Sequence, residues 1–180
     1  MIDRFITALK DSRPPGNLSL EAIARLPDDI AAQLFPAPLI PAAVLVGLIE
    51  GVNGWDVLLT RRTAHLRDHP GQISFPGGRL EPGDEGPLAA ALRETREEVG
   101  IAADFIDVIG YLPPHAVVTG FAVCPVVAIL RPGFTLHADP REVAEIFGAP
   151  LTHLLDPANL VRSERVVRGV TVPVYACQFG

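Results

Sequence analysis

The chain has 180 residues, 48% of them hydrophobic, with two cysteines and a formal net charge of −6. That length and apolar content suit one folded domain with a sizeable core and exclude a disordered chain. The acidic balance argues against a nucleic-acid backbone as partner, and Cys124 and Cys177 are too few for a disulfide framework, so a reducing cytoplasm is the expected compartment.

The N-terminus carries charge early and lacks the apolar segment of a signal peptide. Residues 1–11 read as a short amphipathic helix with Phe5, Ile6 and Leu9 on its apolar side, and Leu18–Leu26 as a second. Residues 33–41, rich in proline, read as an extended arm that closes a lead-in over residues 1–40. The apolar run at 39–49 is about half of what a helix needs to cross a bilayer. It reads as a buried strand, so no membrane partner is expected. A turn at Gly51–Gly54 returns the chain into a second strand at Asp56–Thr60, and Ile73–Phe75 is a third. Residues 86–99 switch to helical periodicity, with Pro87 in the first turn and Gly100 at the left-handed stop. Phe105–Leu112 and Val123–Leu130 read as strands, Asp139–Ile146 as a short capped helix, and Val161–Arg168 with Val172–Phe179 as a hairpin about Gly169. Strands before and after one central helix indicate an α+β fold with a mixed sheet and helices outside.

The central helix carries the chemistry. Glu94, Glu97 and Glu98 stand at i, i+3 and i+4, on one face near the C-terminal end, where both like-charge repulsion and the helix dipole oppose them. Such a face suits a hard divalent cation, which takes carboxylate oxygens together with substrate phosphates. Arg93 is placed to bridge to Glu97 at i+4. Upstream, Arg61, Arg62 and Arg67 offer planar forks to phosphate oxygens.

Gly77-Gly78, an acidic loop, and Arg93-Glu94-Thr95-Arg96-Glu97-Glu98-Val99-Gly100-Ile101 resemble the Nudix box of the Nudix hydrolases. The resemblance implies an α/β/α sandwich around a mixed sheet over residues 41–180, with the box at 77–101. It also implies hydrolysis of a nucleoside diphosphate linked to another moiety, with Mg²⁺ or Mn²⁺ as cofactor. The box departs from the family spacing by one residue: either Asp84 or Glu85 supplies the loop acid. On this resemblance Glu94 and Glu98 are the principal metal ligands, Glu97 is a third or positions water, the Gly77 carbonyl completes the shell, and Arg93 orients a carboxylate. Relatives take their general base from a distant loop or from the box helix; Glu142 and Glu145 are the distant candidates, with Glu145 in the downstream acidic helix.

The preceding run, Leu58-Leu59-Thr60, Arg62-Thr63, Arg67, Gly71 and Phe75 through Gly78, resembles the additional signature of the coenzyme A pyrophosphatase branch. It implies cleavage of coenzyme A or its derivatives to 3′,5′-ADP and 4′-phosphopantetheine. Other nucleoside diphosphate derivatives, and a non-catalytic Nudix module, are the alternatives. His115 or Phe121, in the loop at 112–121, could contact an arm of the substrate. Branch members continue past the final strand with a tryptophan–glycine pair and a helix, whereas Trp55 is the only tryptophan here. Either the sequence is shortened or this member ends differently; if shortened, a second copy of the chain, as a homodimer, or a further tail is expected to cover the sheet.

Overall fold

The structure, a computed structural model, describes residues 2–65 and 70–178. Its centre is a mixed sheet. Strand β1 (Ile40–Gly51) turns back into β2 (Gly54–Arg62), with Gly51 opposite Gly54. Strands β3 (Ile73–Ser74) and β4 (Gly77–Arg79) follow and are shared between neighbours: β3 pairs with β2 and β4 with β1. After helix α4 (Pro87–Val99) come β5 (Ile106–Tyr111), β6 (His115–Val117) and β7 (Phe121–Leu130). β7 runs parallel to β1 from Ile40↔Phe121 to Ile49↔Leu130, and β5 and β6 pair antiparallel with β7. This one parallel pair amid antiparallel neighbours makes the sheet mixed.

Strand alternation divides the core into two layers. Ala43 and Leu45 of β1 pack with Ala90, Ala91 and Val99 of α4 on one face. Val46 and Leu48 pack on the other face with Leu9 and Phe5 of α1 (Ile2–Leu9) and Leu151 of α5 (Leu151–Leu155). Helices therefore cover both faces, the α/β/α arrangement expected. No helix among the described residues is long and apolar enough to cross a membrane.

The lead-in is helical to a later point than its prolines suggest. α2 (Leu18–Ile23) starts at Asn17, whose side chain accepts from the Leu20 N–H. A third helix, α3 (Asp28–Leu34), occupies the start of the expected extended arm, and the chain is bent and irregular only from Phe35 until β1 begins. All three helices are tied to elements far along the chain. The Ser12 hydroxyl accepts from the Tyr111 N–H at 2.8 Å, and Gln33 Nε2 donates to the Arg168 carbonyl at 2.7 Å.

The second correction falls on 139–146. Asp139–Glu142 forms a turn, and Val143–Pro150 is strand β8, not a helix. β8 pairs with β2 from Arg62↔Val143 to Asp56↔Pro150. Val143, Ile146 and Phe147 follow the helical period, and the open edge of β2 overrides it in favour of strand. The expected C-terminal hairpin is present as β9 (Leu160–Val167) and β10 (Val170–Cys177), with Val167 opposite Val170.

Candidate active site

Helix α4 starts at Pro87, where a missing N–H leaves no bond unmade, and ends at Gly100, whose φ of 79° is the left-handed stop. Burying Ala90, Ala91, Thr95 and Val99 orients the carboxylates of the last two turns toward β4. Glu98 is only 4% exposed. It accepts a hydrogen bond from the Gly77 N–H at 3.1 Å, and Arg62 Nη1 lies 3.8 Å away. The two glycines make this approach possible. A Cβ at Gly77 would collide with the Ala43 carbonyl oxygen, and one at Gly78 with the carboxylate of Glu94.

Arg93 organises the other acids. Its Nε and Nη2 donate to the two oxygens of Asp84 at 3.2 and 2.9 Å. Nη1 donates to Glu94 at 2.9 Å and Glu97 at 3.3 Å, and Nη2 also donates to the Arg79 carbonyl at 3.0 Å. All five N–H groups of the guanidinium are used. Asp84, rather than the exposed Glu85, is therefore the loop acid. Asp84 also closes the loop, accepting from the Glu81 N–H at 2.8 Å.

The charges respond accordingly. The hydrogen bonds from Arg93 hold Asp84 below the usual carboxylate range, and Asp84 with Glu94 raises Arg93. Burial raises Glu94, against the Arg93 hydrogen bond. Burial also pushes Glu98 up to about 7; Glu94 and Glu142 add to this, while the Gly77 N–H and Arg62 oppose it. Two neighbouring carboxylates are thus held where ionisation is opposed, which is the environment a divalent cation relieves.

Among the described residues no three His, Cys, Asp or Glu side chains form a closed metal cage. Arg93 holds Glu97 and Glu94, and Glu98 is held by Gly77. An all-oxygen donor set still fits a hard cation that retains waters and shares substrate phosphates. The buried Nε of Arg62, with no acceptor among the described residues, fits an anion in the same place.

The predicted residues separate into two groups. Glu94, Glu97 and Glu98 line one small cleft together with Asp139, Arg141 and Glu142. Of the three helix glutamates, Glu97 is the exposed one. Arg62 joins this group, 4.0 Å from Glu142. Arg61 and Glu145 do not. They are cross-strand partners on β2 and β8, pair at 3.3 Å, and are half-exposed. Glu145 stands apart because it is a strand residue paired with Arg61, whereas Glu142 lies in the preceding turn and faces the acids. That turn is fastened to α4 by the His137 N–H to the Val99 carbonyl and the Asp139 N–H to the Glu98 carbonyl, both 3.0 Å. Arg67 lies outside the described residues. Asp139 and Arg79 were not anticipated; only their proximity in the fold reveals them.

The family profile of the NUDIX domain matches residues 38–168. The chain belongs to the Nudix family. Membership implies divalent-cation-dependent chemistry in general terms, and it makes the glycine pair and α4 a Nudix box in sequence and geometry alike. Relatives include the uncharacterized Nudix hydrolase NudL of Enterobacter sp. (strain 638), 47% identical over 114 residues, and that of Cronobacter sakazakii, 49% identical over 114 residues. Both matches cover 63% of this chain, which spans 59% of the length of those relatives. The Nudix fold also recurs in solved structures. An Ap4A hydrolase of C. elegans matches with a TM-score of 0.53 at 23% identity, covering 62% of this chain and 80% of the other. The Nudix hydrolase RenU of M. smegmatis matches with a TM-score of 0.52 at 24% identity, covering 63% of this chain and 72% of the other.

Proposed function

We propose that this Nudix chain hydrolyses a nucleoside diphosphate linked to a second moiety, using Mg²⁺ or Mn²⁺. The observation that carries this reading is the carboxylate pair of half-buried Glu94 and buried Glu98 beside Gly77-Gly78, with Arg93 and Arg62 as their cationic partners. Glu94 and Glu98 would hold the metal, with Glu97 and the Gly77 carbonyl as further oxygen donors. Bound there, a divalent ion would polarise a phosphoryl oxygen and make bound water more acidic. Arg93 keeps Glu94 and Glu97 in their rotamers, and Asp84 fixes Arg93 in turn. Arg62 offers its free Nε–H to a phosphate oxygen where negative charge accumulates. Glu142, facing the box acids, replaces Glu145 as the outside acid suited to taking the proton from the attacking water.

Within that class we propose coenzyme A or its derivatives as substrate, giving 3′,5′-ADP and 4′-phosphopantetheine. The run from Leu58 to Gly78 supports this choice. The relatives' names support the broader reading, hydrolysis of another nucleotide diphosphate included. Incubation with Mg²⁺ or Mn²⁺ and a panel of coenzyme A, ADP-ribose, NADH and diadenosine polyphosphates separates the two. Release of 3′,5′-ADP from coenzyme A as the fastest reaction is expected. Faster cleavage of another member would remove coenzyme A and keep the class, and cleavage of none would remove both.

A further inference from the structure

A cavity of about 540 Å³ opens beside the box, and it extends well past the acids. Arg62 and Glu142 lie at one end, Gly77, Gly78 and Glu94 along it, and Arg79 with Phe121 at the other. Strand pairing sets the span. β3 and β4 run between β2 and β1, and β7 lies beyond β1. Arg62 on β2 and Phe121 on β7 therefore stand apart, with β3, β4 and β1 between them.

Arg79 and Phe121 meet over β1. Arg79 stands opposite Ala42, and Ala42 opposite Val123, so by alternation Arg79, Ala42 and Phe121 share a face. The small Ala42 lets the guanidinium lean across onto the Phe121 ring, with its carbon 5.2 Å from the ring centroid. No carboxylate pairs with Arg79 among the described residues, although the box beside it is crowded with acids; the acids are taken by Arg93 and Arg62. The contact holds Arg79 by its face and leaves its N–H edge open to the cavity. Such a fork, at the end of a groove whose middle would hold the diphosphate, suits a further dianion on the same ligand.

We propose that Arg79, seated on Phe121, is a specificity-determining residue that binds a phosphomonoester of the substrate separate from the diphosphate. In the coenzyme A reading, on which the choice of ligand rests, this group is the 3′-phosphate of the adenosine. Phe121 acts through Arg79: it fixes the plane of the fork and does not itself receive the substrate.

The test compares ligands that differ by this one group. With Mg²⁺ present, calorimetry on the wild-type protein should give 3′,5′-ADP binding at least about tenfold tighter than 5′-AMP, as one charge-assisted fork implies. Arg79→Ala should abolish that preference while leaving 5′-AMP affinity unchanged. Arg79→Lys should recover part of it, and Phe121→Leu should weaken it without changing 5′-AMP binding. In turnover, Arg79→Ala should raise KM about tenfold or more for coenzyme A and leave 3′-dephospho-coenzyme A unaffected. Equal binding of the two nucleotides by the wild type, a preference that survives Arg79→Ala, or equal losses with both substrates would overturn the proposal. If neither coenzyme is cleaved, the substrate reading fails, and the binding comparison still judges Arg79 by itself.

Discussion

Glu98 gives the sharpest test of the site, because its burial makes a quantitative statement about stability. Its carboxyl moves from an ordinary 4.5 to about 7 in the folded chain, chiefly through burial. Between these values the folded state holds a proton that the unfolded state has released. Stability is therefore fully present below pH 4.5 and is lost as pH rises through 7. The full effect is roughly 3 kcal/mol, and about 2.5 kcal/mol of it falls between pH 5 and pH 8. Glu98→Gln keeps an acceptor for the Gly77 N–H and removes the titration. Urea unfolding in EDTA, followed by circular dichroism across that range, should show the variant gaining on the wild type by this amount as pH rises. Taking the difference between the two proteins cancels the other titrating groups. Mg²⁺ should reverse the trend for the wild type, stabilising it more at pH 8 than at pH 5, and should do little for the variant. Parallel wild-type and Glu98→Gln curves in EDTA would refute the claim that Glu98 is a strained, desolvated acid awaiting a cation.

Arg93→Ala strips five hydrogen bonds and leaves Asp84 and Glu94 without their cation; turnover should fall at least about 100-fold, with a weakened dependence on Mg²⁺, read by initial rates across a metal titration. Asp84→Asn should lower turnover measurably, whereas Glu85→Gln should match the wild type in the same assay. Glu142→Gln should cost about 100-fold or more in kcat, and Glu145→Gln should leave kcat within about twofold, since that acid is held in a half-exposed pair with Arg61. Gly78→Ala drives a methyl into the Glu94 carboxylate; isothermal titration should show loss of metal binding with the fold retained by circular dichroism.

The features that were legible in the sequence share a physical cause: they rest on local rules that the tertiary structure does not contest. Pro87 and Gly100 bracket α4 as a start and a stop, and the Gly51–Gly54 turn pairs β1 with β2 as its flanking runs require. The acid face of α4 was readable because it violates helix rules. Other features were set by distant partners. β8 resembles a helix until the open edge of β2 claims it, and with that pairing Glu145 turns onto the surface while Glu142 stays in the preceding turn. β4 is three residues of glycine and arginine, too short to show a period, yet it seats both the Glu98 carboxylate and Arg79. Asp28 and Asp29 after Pro27 were a usable start signal for α3, masked by the prolines that follow. The choice of Asp84 over Glu85 depended on where one guanidinium fits, which spacing alone leaves open.

The ties of the lead-in also bear on how the chain comes to be folded. Ser12 meets Tyr111 across 99 positions, and Gln33 meets Arg168 across 135. α1 and α2 therefore have no seat until β5, β6 and β7 emerge, and α3 waits for β10. Until then the apolar sides that carry Leu9, Leu18 and Leu34 stand open to solvent, and to other nascent chains. Once the β9–β10 hairpin arrives, Gln33 can close its contact with Arg168. The lead-in waits for strands made long after it, and that interval is when it is most exposed to association with the wrong partner.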